Sequence, residues 1–67
     1  MIQVVVNGAQ KHLEQPLAVS ELLLQMALAG KKIAVERNGE IVPKSLLESV
    51  ILDDSDRVEI VIAVGGG

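Results

Sequence analysis

The sequence contains no cysteine, phenylalanine, tyrosine or tryptophan. Without cysteine there is no disulfide, thiolate metal site or thiol nucleophile, and no sign of an oxidising compartment. Without aromatic rings there is no platform on which bases or sugars could stack, and the formal net charge of −3 disfavours a nucleic-acid backbone further. A single histidine, His12, has no second imidazole to share a metal with, and it reads as a surface residue. The serines Ser20, Ser45, Ser49 and Ser55 have no His–carboxylate arrangement behind them. No basic-then-apolar leader opens the chain, and no apolar run approaches the length of a membrane span, so a cytoplasmic location is expected.

What is present is aliphatic. Apolar residues make up 49% of 67 positions, enough for one compact domain at the small end of what buries a core. Ile2-Gln3-Val4-Val5-Val6 is β-branched and alternating, and Asn7-Gly8 follows as a hairpin turn into a second strand over about 9–13. Pro16 ends that ladder. VSELLLQMALA (19–29) is the one helical stretch, with Val19, Leu22, Leu23, Met26 and Ala27 on one stripe. Gly30 is placed to close it in a left-handed cap, while Ala18 offers no side-chain cap at its start. Leu24 and Leu28 fall on the far side of the wheel. They could be covered by a loop, form a self-association contact, or stand exposed.

KKIAVERNGEIV reads as a second hairpin turning at Asn38-Gly39, stopped by Pro43. KSLLESVIL suggests a short helical turn or irregular link. Asp53-Asp54-Ser55-Asp56 reads as a solvated turn, because it lacks the glycine and glutamate positions of a calcium loop. The last strand runs from Arg57 to Ala63, with Val58, Ile60 and Ile62 on one face. One amphipathic helix and four or five strands give an α+β fold: a mixed sheet with the helix across one face and the first and last strands parallel at its centre. That is a β-grasp, with residues 1–64 as the domain and 65–67 as a glycine tail. Val5, Val61 and Ala63 alternate with the core set, so with Val64 they make a candidate docking face beside the tail.

The tail is the remaining feature. Gly65-Gly66-Gly67 is either a frayed end or a device. Glycines can thread a channel too narrow for other residues, and a terminal carboxylate, with a pKa of about 3.5, is an anion at neutral pH able to attack an activated phosphate. Here the chain resembles the ubiquitin-like sulfur carriers, and most closely the thiamine-biosynthesis (ThiS) family. The residues that carry the likeness are Val6-Asn7-Gly8, VSELL, AVERNGEIVPK, LDDSDRVEI and the closing AVGGG. The family commonly has an aromatic after the Pro-basic pair, where Ser45 stands. It has Asp-Gly-Asp where Asp54-Ser55-Asp56 stands, and Thr where Ala18 stands.

The resemblance implies a protein co-substrate and not an enzyme. An adenylyltransferase of the ubiquitin-activating type would use ATP and Mg²⁺ to adenylate the Gly67 carboxylate, with Gly65 and Gly66 threading the partner's active site. A sulfur-donor enzyme would then give a thiocarboxylate, which passes sulfur to thiazole synthase. No bound cofactor or metal is expected on the chain itself. Carriers for molybdopterin, tRNA thiolation or cysteine synthesis are the alternatives within the class, molybdopterin being disfavoured by the absence of proline before the glycines. A ubiquitin-like modifier or plain binding module is the alternative outside it.

Overall fold

The computed structural model of the chain describes residues 1–62. Strands β1 (Ile2–Val6) and β2 (Ala9–Leu13) form the first hairpin, in the register Ile2↔Leu13 to Val6↔Ala9. A two-residue strand β3 (Leu17–Ala18) leads into helix α1 (Val19–Gln25). The second hairpin is β4 (Ile33–Arg37) and β5 (Glu40–Val42), followed by a 3₁₀ turn at Lys44–Leu46, a short β6 (Ile51–Leu52) and β7 (Arg57–Ile62). Both hairpins turn on an Asn-Gly pair with positive φ at both residues, the geometry that matches the twist of antiparallel strands.

The main sheet has the order β2-β1-β7-β4-β5, with β1 and β7 parallel and β7 in the middle. This is the expected mixed β-grasp sheet. A two-stranded pairing of β3 with β6 is added beside it. The sheet's inward residues Ile2, Val4, Val6, Val35, Val58 and Ile60 pack with Leu13, Val42, Leu52 and the helical Val19, Leu22 and Leu23. Burying a Val, Leu or Ile side chain of this kind contributes about 1.5–3 kcal/mol.

The helix begins at Val19 as expected, without a side-chain cap from Ala18, but ends earlier than expected. Its first N–H groups have no side-chain cap and are instead satisfied by loop carbonyls: Val19 N–H donates to Val50 C=O (3.0 Å) and Ser20 N–H to Leu47 C=O (2.9 Å). At the other end it stops at Gln25, well before Gly30. Ala27 takes the left-handed conformation (φ 59°). Its N–H donates to Leu24 C=O, and Leu28 N–H donates to Leu23 C=O (2.8 Å). These two bonds make a Schellman closure with alanine where glycine is usual. Gly30 serves the next turn, supplying φ 84° where Lys31 N–H closes back on Leu28 C=O.

The early stop settles the two leucines. Leu28 has left the helix and packs against the core, whereas Leu24 remains on the helix, 59% exposed. Ala27, expected on the buried stripe, is exposed because the chain turns there. No helix among the described residues is long and apolar enough to cross a membrane.

Candidate functional site: the strand that carries the tail

The expected tail residues Gly65, Gly66 and Gly67, with Ala63 and Val64 before them, lie outside the described residues. Their root is β7, and its geometry is defined. Along one edge β7 pairs with β4 over all but its first residue, from Arg37↔Val58 to Ile33↔Ile62. Along the other it meets only the end of β1, at Val5↔Arg57 and Val6↔Val58. Beyond that point the Asn7 side chain continues the ladder, its Oδ1 accepting the Ile60 N–H at 2.7 Å. Asn7 N–H donates to Val58 C=O (2.9 Å).

The second turn asparagine does the same work on the opposite side. Asn38 Oδ1 accepts the Arg57 N–H (2.8 Å), and Asn38 N–H donates to Arg57 C=O (2.8 Å). Both turns are therefore tied to β7, one through each asparagine. Asparagine meets two demands here, tolerance of positive φ and a carbonyl within reach of a neighbouring strand.

The base of β7 is fixed by Asp56. Sequence reasoning placed it in a solvated turn with Asp53 and Asp54, and the structure corrects this: Asp56 is only 7% exposed. Its carboxylate accepts the Asp53 N–H (2.8 Å), Asn38 Nδ2–H (3.0 Å) and Arg37 Nε–H (3.0 Å). Burial pushes its pKa up. The hydrogen bonds from the Asp53 backbone, Asn38 and Arg37, with the guanidinium's charge, outweigh burial and hold it below the usual aspartate value. Its backbone is used too, since Asp56 C=O accepts the Val5 N–H (2.9 Å).

Parity along the strands would have found this node. Asp56 continues the inward set Val58 and Ile60, and Arg37 continues the inward set Ile33 and Val35. Two opposite charges at inward positions of neighbouring strands call for each other. Ser55, at φ 73°, holds a conformation suited to glycine and donates its N–H to Gln3 C=O (2.7 Å). Asp54 stays exposed and accepts the Gln3 N–H through Oδ1 (2.8 Å).

The proposed docking face is less uniform than the alternation suggested. Val5, half-buried, sits opposite Arg57, whereas Val61, 61% exposed, lies opposite Ala34. Four residues of strand, about 13 Å, separate the two positions. Arg57 and Glu59 share that face, and Glu59 is opposite Glu36. Among the described residues the outer face therefore has an acidic middle between separate aliphatic side chains. His12 is exposed, opposite Gln3 on β1. Among the described residues no three His, Asp or Glu side chains group as metal ligands would.

Comparison with known proteins agrees with this architecture. The model of the ThiS family matches residues 4–67. A thiazole synthase of Paramagnetospirillum magneticum is 41% identical over 66 residues, 98% of this chain but 20% of that protein. The chain thus spans about a fifth of the length of that relative. The sulfur carrier protein ThiS of Bacillus subtilis is 45% identical over 49 residues, 73% of this chain and 74% of its own. The crystal structure of a thiamine biosynthesis protein (ThiS) from Geobacter metallireducens superposes with a TM-score of 0.84 at 30% identity, covering 98% of this chain and all of that one. The match runs from the first strand through the final glycines, and the chain belongs to the ThiS family.

Proposed function

We propose that this chain is a sulfur carrier for the thiazole step of thiamine biosynthesis, acting in the cytoplasm as a co-substrate of partner enzymes. The carboxylate of Gly67 attacks the α-phosphate of ATP on an activating adenylyltransferase, which uses Mg²⁺, and pyrophosphate leaves. Hydrosulfide released by a donor enzyme then adds to the acyl carbon of the adenylate, the C–O bond to AMP breaks, and loss of a proton leaves a thiocarboxylate. Thiazole synthase takes up the sulfur.

The observation that carries this reading is the family match, which extends to Gly67. Its physical support is β7. That strand is held on one edge by β4 and on the other by β1 and the Asn7 carboxamide, with Asp56 fixing its base. The strand is thus paired along one edge as far as Ile62 and held along the other as far as Ile60. Three glycines offer no Cβ to a narrow channel. The chain has no cysteine, so no side chain of its own could hold sulfur as a persulfide. In this mechanism the chain positions the carboxylate and supplies the acyl group, and the acid, base and phosphate-binding groups come from the partners.

The test is intact mass after incubation with a competent activating enzyme, ATP and a sulfur donor. Replacement of one oxygen by sulfur, localised to Gly67 by fragmentation, is the expected result. An unchanged mass beside a positive-control carrier on the same enzyme overturns the reading.

A further inference from the structure

Half of the chain's six basic residues gather at one place. A groove of about 600 Å³ opens where α1, the start of β4 and the end of β7 meet. Its apolar lining includes Leu23, Leu28, Leu47 and Val61, and Lys31, Lys32 and Lys44 also line it. All three lysines are exposed, and among the described residues no carboxylate lies within 4 Å of their ammonium groups. The other three basic residues lie elsewhere: Lys11 is on β2 opposite Val4, Arg37 is paired with Asp56, and Arg57 lies beside Glu36 and Glu59 at a separate, acidic site. A protein of net charge −3 has therefore kept three of its four lysines around an apolar depression. That depression reaches Val61, one residue before the end of the described strand.

We propose that this groove is a docking site for an acidic segment bearing aliphatic side chains, presented by the protein that receives the tail. The partner assignment rests on the sulfur-carrier reading. The chemistry of the occupant rests on the groove alone. The volume falls within the ~300–1,000 Å³ range of sites that enclose a ligand group, and the leucine lining suits branched aliphatic side chains. The three ammonium groups attract carboxylates flanking those side chains and set which partners approach. The groove meets the outer sheet face only at Ala34 and Val61, and the acidic middle of that face, Glu36 and Glu59, would repel the same segment. Continuity with Val61 places an occupant of the groove next to the point where the chain leaves β7, so docking and tail insertion proceed together.

The experiment is a titration of ¹⁵N-labelled full chain with a short peptide alternating Leu with Asp and Glu, followed by amide shifts. Shifts are expected at Leu28–Ala34, Lys44, Leu47 and Val61. They should weaken as ionic strength rises past ~0.15 M, where the screening length falls to ~8 Å. The variants K31E/K32E/K44E and K31Q/K32Q/K44Q, changing exposed side chains only, should each weaken binding about tenfold or more, the reversal more than the neutralisation. A peptide with Ser in place of Leu should bind more weakly than the parent. Shifts centred on Glu36, Arg57 and Glu59 in place of the groove, or equal binding by the wild type and the charge-reversed variant, overturn the proposal. So does tighter binding after removal of Gly66 and Gly67, since that would make the chain's own tail the occupant. None of these results touches the mass change at Gly67, so failure of the groove and failure of the carrier reading are told apart.

Discussion

Replacing Asp56 by alanine tests whether the base of β7 is held as described. Three donors lose their acceptor: Asp53 N–H, Asn38 Nδ2–H and Arg37 Nε–H. The Arg37 side chain is 36% exposed and Asn38 is exposed, so both can turn to water and recover much of what they lose. The Asp53 amide, on a part-buried bond, has less recourse. A hydrogen bond to a charged group is worth about 1.5–3 kcal/mol, and the relief of carboxylate desolvation offsets part of the sum. A net loss of about 2–3 kcal/mol is expected, against a total of about 3–10 kcal/mol for a chain this short. In urea, with an m-value of about 1 kcal/mol/M, the midpoint should fall by about 2–3 M. Asp54→Ala is the control, because its bond to Gln3 N–H is exposed and water can replace it; it should cost less than about 1 kcal/mol. A loss below about 0.5 kcal/mol for Asp56→Ala, or equal losses for the two variants, refutes the assignment of Asp56 as a buried node.

Asp56 also sets a pH dependence. Its folded pKa lies below the unfolded value, so its stabilisation is complete above about pH 4 and is lost as pH falls through the folded value. The gap in unfolding free energy between the wild type and Asp56→Asn should therefore narrow below about pH 4, and a gap constant from neutral to acid would contradict it. Ala27→Gly and Ser55→Gly each relieve a left-handed non-glycine residue, so each should raise stability by about 0.5–1 kcal/mol after the entropy of the unfolded glycine is counted. Thermal unfolding shows this as a Tm higher by several degrees. Deleting Gly66 and Gly67 should leave Tm unchanged, since glycine has no side chain to bury, while abolishing sulfur transfer; a large fall in Tm would contradict it. Deletion of the gene should produce a growth requirement for the thiazole moiety. A molybdenum-cofactor or tRNA-thiolation defect in its place would assign the carrier to another pathway.

The strands were legible because their patterns are local. β-Branched alternation gave β1 and β7, and Asn7-Gly8 and Asn38-Gly39 gave both hairpins, since the backbone conformation of a tight turn is written in two residues. The second task of those asparagines was not legible, because it depends on which strand lies alongside each turn after folding. The end of α1 was misplaced for a related reason. Gly30 is the obvious stop, but Leu28 gains more by turning into the core than by continuing the helix, and Ala27 bears the left-handed conformation that this requires. Asp56 shows the limit and the remedy together. Asp53, Asp54 and Asp56 look alike in composition; Asp54 and Asp56 both share the parity of Val58 and Ile60, but only Asp56 adjoins β7, and Arg37 shares the inward parity of β4. At the candidate site, the glycine tail is readable as chemistry only through the family likeness, and of the expected docking face the described residues include only Val5 and Val61, which strand register sets apart.

The central claim is that the acyl group of Gly67 carries sulfur. Mass spectrometry of the intact protein, isolated from cells limited for thiamine and mapped by fragmentation, tests it most directly. A population in which Gly67 alone has exchanged one oxygen for sulfur, absent when the activating enzyme is absent, is the predicted result. A protein of unmodified mass under those conditions, or sulfur found on any residue other than Gly67, would contradict it.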